Sequence, residues 1–248
     1  MRKLDRSDFV CVVAAAVLLY MTVLSILGTD RTGYQIWTGV LCAAVCLLPM
    51  LFRHAGIMTL PFTLVVLIAV AVFLHGYGVL LMRYDDLLWY DTMTHTVSTI
   101  TVALCVFYSL MTVELLDLRT TFSPKWIPLF ITMIVLTFSI YWEVMELIVD
   151  MIWNINMQYS PWDTIRDMAF NTVGVLVVTV SARLYLREHT SEEFIEGLEL
   201  HPRLRDAVAR HRPIKKRPVR VPHLAGVPDP MEASASGSFD DDHERNRH

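Results

Sequence analysis

Six apolar stretches dominate the chain, at residues 9–28, 34–52, 57–80, 91–114, 127–150 and 163–186. Each is long enough to cross the hydrocarbon core of a bilayer, which takes about 20 predominantly apolar residues in helical form. Without water, every backbone N–H and C=O must pair within its own segment, so stretches of this kind are helices. Composition agrees: 54% of the 248 residues are hydrophobic and 19% are charged, against about 25% charged in a soluble domain. The charges gather after residue 187, where the chain turns polar and Pro-rich. A soluble single-core enzyme and a disordered chain are both excluded. The sequence predicts an all-α polytopic membrane bundle of six transmembrane helices over 1–187. A cytoplasmic tail over 188–248, mostly disordered, follows it.

The first stretch follows Met1-Arg2-Lys3, as a signal peptide would. Its apolar run is longer than a signal core and no A-x-A site follows, so it is expected to remain as the first helix. Basic residues set the orientation. Arg2, Lys3 and Arg6 precede helix one, Arg53 follows helix two, Arg119 and Lys125 follow helix four, and Arg183 and Arg187 end helix six. A cytoplasmic N-terminus, cytoplasmic second and fourth loops and a cytoplasmic C-terminus put nearly all this charge inside. The expected location is the cell (inner or plasma) membrane. Cys11, Cys42, Cys46 and Cys105 all lie in apolar runs, which speaks for packing and against a disulfide framework.

Four helices then carry ionisable groups at the same, extracytoplasmic end. Helix three ends near His75-Gly76-Tyr77-Gly78, and helix four begins with Tyr90, Asp91 and His95. Helix five ends through Glu143, Glu146 and Asp150. Helix six begins with Trp162, Asp163, Arg166 and Asp167, then Asn171 and Gly174. Asp91 and His95 share a face at i, i+4, and Glu143, Glu146 and Asp150 form one stripe at i, i+3, i+7. At a rise of 1.5 Å per residue the Asp163 to Asn171 stripe descends about 12 Å into the apolar layer.

A carboxylate near the centre of a spanning helix costs about 2.5–3.5 kcal/mol on insertion scales. Six of them facing lipid would rival the stability of a whole domain, about 5–15 kcal/mol. They are expected to face one another or a wet cavity. His75, His95, Arg166 and Arg83 are the nearby cationic candidates, too few for six acids, so shared protons or a bound cation must balance the excess. The expected ligands of a divalent metal are Asp91, His95, Glu143, Glu146, Asp163 and Asp167. Carboxylate and imidazole suit Mg²⁺, Mn²⁺, Fe²⁺ or Zn²⁺.

Plainer readings stand beside these. Asp91 and Asp163 also read as helix-start caps, and Arg166 as a structural bridge to Asp150 or Asp163. Asn171 and Gly174 also read as helix-packing residues, and His75 as the end of a helix. Tyr84, Trp89, Tyr90, Tyr159 and Trp162 read as an interfacial aromatic belt. The basic run Arg203 to Arg220 lacks aromatic interleaving and adjoins a span. It reads as an anchor for anionic lipid headgroups, with no nucleic-acid partner expected.

Taken together, Y-D-x-x-x-H (Tyr90, Asp91, His95), E-x-x-E (Glu143, Glu146) and W-D-x-x-x-D-M-x-x-N-x-x-G (Trp162 to Gly174) resemble the YjdF family of prokaryotic inner-membrane proteins. His75 with Gly76 and Gly78 also matches, over roughly residues 57 to 187 in all. That family is itself similar to VanZ-like proteins, which are associated with glycopeptide resistance. Met157-Gln158-Tyr159-Ser160-Pro161 departs from the Gly-rich segment expected before Trp162, and the long tail looks like an addition. The resemblance implies a six-helix membrane fold and supports the site; it supplies no reaction.

The functional expectation is a metal-dependent hydrolase or transferase acting on a lipid or isoprenoid headgroup. His75 or His95 would serve as acid and base, and Arg166 would hold an anionic group. The rivals are a proton- or cation-coupled transporter and a non-catalytic protein with a structural cation site. The inner halves of helices four to six, such as Ala103 to Phe107 and Val175 to Val178, carry no ionisable residue, which weighs against a continuous path.

Overall fold

The computed structural model describes residues 4–28, 33–116, 122, 123 and 125–188. The tail from 189 onward, with its basic run, lies outside the described residues. Those described form seven helices and no strand: α1 (Arg6–Leu27), α2 (Gly33–His54), α3 (Phe62–Leu80), α4 (Arg83–Asp86), α5 (Leu88–Leu116), α6 (Ile127–Trp153) and α7 (Pro161–Glu188). All but α4 are long and apolar enough to cross a membrane. The six expected spans are therefore present. The short α4 is an addition between α3 and α5, entered through Met82 in the left-handed region at φ 55°. Helix α3 starts at Phe62, five residues later than expected, because Pro61 is its N-cap.

The packing falls into two groups. Helices α1, α2 and α3 touch one another, α5, α6 and α7 do likewise, and α3 meets α5 between them. The first group buries Ala15, Leu18, Cys42, Ala43, Cys46 and Leu80. All four cysteines are free, and three of them are buried. The second group closes around Phe107, Met111, Ile127, Ile131, Val135 and Val175. Large apolar side chains also cover the outside, among them Phe9, Leu27, Trp37, Leu41, Met133 and Val180. A surface of that kind suits lipid and would be an aggregation hazard in water.

Hydroxyls inside the spans are satisfied locally. Thr96, Thr101, Thr112, Thr132 and Thr172 each donate to the carbonyl four residues earlier. Helices α5 and α7 approach closely at Gly174. A Cβ there would lie 3.2 Å from the Thr99 side chain and 3.3 Å from the Thr96 carbonyl oxygen.

The chain alternates direction, so the ends of α3 and α6 and the starts of α5 and α7 fall at one end of the bundle. At the opposite end, Asp8 of α1 is fully buried. It pairs with Arg53, and the Nε2 of His54 lies 3.1 Å from its carboxylate. Asp8 also closes a capping box with Asp5, accepting from the Asp5 N–H at 3.2 Å.

Candidate functional site

His95 is the hub. It lies two turns into α5, one turn after Asp91, and both are more than nine-tenths buried, at 8% and 9% exposed. Its Nε2 stands 3.3 Å from Asp91 Oδ1 and 3.9 Å from Glu146 Oε1, and its Nδ1 stands 4.0 Å from Glu143 Oε1. On the α7 side, Nδ1 lies 3.4 Å from Asn171 Nδ2, and the Thr99 hydroxyl donates to Asn171 Oδ1 at 2.7 Å. Two overlapping groups thus bring their ligand atoms within 4.8 Å of one another: Asp91, His95 and Asp167, and His95, Glu143 and Glu146.

Arg166 is the guanidinium of the cluster. It is paired with Asp163, lies 3.5 Å from Asp91 Oδ2, and places its Nε 3.7 Å from Asp167 Oδ1. Five carboxylates therefore surround one guanidinium and one imidazole. Neither carboxylate oxygen of Glu143, nor Asp167 Oδ1, has a hydrogen-bond partner among the described residues. Thr164 and Gln158 approach Glu143 without closing a hydrogen bond to those oxygens. The Gln158 side chain instead donates to the Glu143 backbone carbonyl at 3.0 Å. Buried polar atoms without partners are rare and costly, about 1–3 kcal/mol each and more when charged.

Several residues sit differently from the sequence reading. Asp150 leaves the acidic stripe: its two oxygens accept from the Met157 and Gln158 N–H groups at 2.6 and 3.0 Å, fixing the loop between α6 and α7. Ser160 is the group that accepts from the start of α7, through the Asp163 N–H at 3.3 Å, while Asp163 accepts from the Tyr159 N–H. His75 lies inside α3 and not at its end. Its Nδ1 is 2.9 Å from the Tyr84 hydroxyl, and its ring meets Trp142 edge-on at 5.3 Å. The Trp142 indole N–H donates to Glu146 Oε1 at 2.7 Å, so His75 reaches the cluster through Trp142.

The expected aromatic belt divides. Trp89 and Trp162 are exposed, at 59% and 77%, as a belt requires. Tyr84 and Tyr90 turn inward instead. They stack edge-on at 5.2 Å, and the Tyr90 hydroxyl donates to the Leu74 carbonyl at 2.6 Å. Gly78 makes room for them, since a Cβ there would meet Tyr84 at 2.5 Å and Tyr90 at 2.6 Å. Burial pushes the Tyr84 phenol well above its usual range, and the Asp91 charge adds to the effect while Thr94 opposes it. Tyr159 is shifted upward too, first by burial and then by its bond to Asp85. Its hydroxyl reaches Asp85 Oδ1 at 2.6 Å and ties the α6–α7 loop to α4.

A cavity of about 190 Å³ opens beside the cluster. Asp91 and Glu146 belong to its lining, together with Tyr34 and Gln35 of α2, Gly78 of α3, Tyr84 of α4 and Tyr159 of the loop. Thr99, Trp142 and Tyr84 are site residues that the sequence reading missed. Thr99 is spaced i, i+4 from His95, and Trp142 i, i+4 from Glu146, so both were marked by the same periodicity that found the acids.

A family model described as predicted membrane protein (DUF2238) matches residues 10–188, the six-helix region from within α1 to the end of α7, with all the site residues just described. YjdF proteins fall in that family, in keeping with the resemblance of the motifs. No curated protein and no solved structure matches the chain. From this match, the chain belongs to the DUF2238 family of predicted membrane proteins.

Proposed function

We propose that the buried acidic and histidine cluster is a divalent-metal centre of a membrane enzyme acting on a lipid or isoprenoid headgroup. The observation that carries this reading is the pair of orphaned oxygens on Glu143 beside His95. Hydrogen-bond acceptors buried without donors need a positive species, and carboxylates with one imidazole are a donor set for Mg²⁺, Mn²⁺, Fe²⁺ or Zn²⁺. Asp91, His95, Glu143, Glu146 and Asp167 are the inner ligands, with Asp163 set back against Arg166. The metal would polarise a phosphoryl oxygen and acidify water.

The remaining roles belong to the chain. In hydrolysis or transfer, a water or alcohol oxygen attacks phosphorus and gives up its proton to a cluster base, and the departing alcohol oxygen takes that proton back from the same base. His75, held between Tyr84 and Trp142, is the second acid/base candidate. Arg166 balances Asp163 and Asp91, and its 38% exposed side chain leaves it open to an anionic group. The distribution of basic residues supports a centre in the extracytoplasmic leaflet of the cell membrane, with both termini cytoplasmic. The likeness to VanZ-like proteins in the Asp/His pair, the Glu and the D…N…G helix supports the same site.

Lipid analysis tests the reaction. Cells producing the wild type are expected to show altered headgroup or isoprenoid phosphate composition relative to cells producing Glu143→Gln at equal level. Identical composition in the two would refute the enzymatic reading.

A further inference from the structure

We propose that the cavity beside the cluster is the seat of an alkylammonium group, so that the headgroup handled by this site is an amine-bearing one. The inference deepens the enzymatic reading above and rests on it for the reaction, although the cavity stands on its own chemistry.

The lining carries three carboxylates, Asp85, Asp91 and Glu146, and no Lys, Arg or His. An anion entering there would find no basic side chain in the walls. Three tyrosines, Tyr34, Tyr84 and Tyr159, share the walls with Val79, Met82 and Met157. Aromatic and apolar walls favour a weakly hydrated organic cation, attracted to ring faces and stripped of little water. A small inorganic cation such as Mg²⁺ keeps several waters and gains nothing from such walls. Size points the same way. At about 190 Å³ the cavity is smaller than the roughly 300–1,000 Å³ pockets that engulf whole drug-sized ligands. It takes a headgroup and leaves the acyl chains outside.

The position explains how one headgroup would use both regions. Asp91 and Glu146 belong to the cavity and to the cluster at once. Arg166 lies 3.5 Å from the second oxygen of Asp91 and is not part of the lining. An amine in the cavity therefore sits one carboxylate away from the guanidinium and the cluster, where a phosphate belongs. Ethanolamine-type and choline-type phosphodiesters have that distribution of charge. The bond from Tyr159 to exposed Asp85 joins two residues of the lining.

The full chain, purified in an uncharged maltoside detergent, is titrated with choline and ethylamine, read by intrinsic fluorescence and thermal shift. Methyl glucoside and glycerol phosphate serve as controls. Saturable binding of the ammonium probes is expected to persist after chelation of metal. Asp85→Asn and Tyr159→Leu are each expected to weaken it about fivefold or more without changing metal content. Asp85 is exposed, so its substitution tests the idea even if Tyr159→Leu disturbs folding. Absence of saturable ammonium binding, preference for glucoside or glycerol phosphate, or indifference to Asp85→Asn would each overturn the proposal. Amine binding without any metal binding would sink the metal centre and leave the cavity assignment standing; the converse would do the opposite. Competition by phosphatidylethanolamine but not phosphatidylglycerol nanodiscs identifies a lipid headgroup, whereas competition by free amines alone identifies a soluble amine.

Discussion

Asn171 of α7 and His95 of α5 meet across the helix interface, Nδ2 to Nδ1 at 3.4 Å, with the amide oxygen of Asn171 taken by the Thr99 hydroxyl. The contact turns the opposite nitrogen of His95 toward Asp91 and Glu146. Partners that orient a ligand histidine typically carry 10–100-fold in metal affinity. Asn171→Leu and Thr99→Val are therefore expected to lower divalent-metal affinity by about tenfold or more, with Asn171→Gln losing less than Asn171→Leu. Competition against a fluorescent chelator measures the order, and equal affinity in all four proteins would remove the orienting role.

Arg166 is the guanidinium beside Asp91, Asp163 and Asp167. Replacing it with Met leaves those acids without their shared partner. The expected cost is about 1.5–3 kcal/mol, the range for hydrogen bonds to charged groups, kept at that level because the side chain is partly exposed. Added divalent metal is expected to recover part of the loss, through ligand linkage to the folded state. Thermal unfolding with and without metal reports both quantities; an unchanged transition in Arg166→Met contradicts the charge-balance account.

Gly78 admits the rings of Tyr84 and Tyr90 against α3. Gly78→Ala forces these rings to move, at an expected cost of about 1–3 kcal/mol for overpacking. The same shift should disturb the bond between His75 and Tyr84. A histidine NMR spectrum in which the His75 resonances of Gly78→Ala match the wild type would show that the glycine is not needed for this contact.

Tyr84 and Tyr159 both lose protons at higher pH in the folded protein than in the unfolded chain. An elevated folded value means that the stabilising contribution is complete below the unfolded value, about 10, and declines as pH climbs beyond it. Stability is thus expected to fall above about pH 10, and less steeply in Tyr159→Phe. Ultraviolet titration of the phenolate checks it. A Tyr159→Phe protein with the same alkaline profile would show that this hydroxyl contributes nothing.

At the far end of the bundle, Arg53 neutralises the fully buried Asp8. Breaking a buried pair from one side costs about 3–5 kcal/mol. Arg53→Met is expected to destabilise the chain by that order while leaving metal content unchanged, which a melting curve and elemental analysis report together. Loss of metal in this variant would mean that the two ends of the bundle are coupled.

Much of this architecture was written in the sequence because apolar length is a one-dimensional property. The six spans show up as uninterrupted runs, and the acids of α5, α6 and α7 show up as turn-spaced exceptions to them. Contacts set by tertiary geometry were not legible. Whether Tyr84 belonged to a belt or to the interior depended on Gly78 of α3, whose missing side chain leaves room for the Tyr84 ring. Asp150 continued the stripe of Glu143 and Glu146 by spacing, yet the loop N–H groups of Met157 and Gln158 captured it. Asp8 escaped notice because its partners, Arg53 and His54, lie at the end of the next helix, 45 and 46 residues away. α4 has four residues, too few for any periodic signal.

The most direct measurement is the metal content of purified protein, wild type beside Glu143→Gln and Asp167→Asn. About one divalent ion per chain is expected in the wild type, falling well below that in both variants while their helical content stays intact. Metal-free wild type that refuses added Mg²⁺, Mn²⁺, Fe²⁺ and Zn²⁺, with both variants folded, would contradict the account.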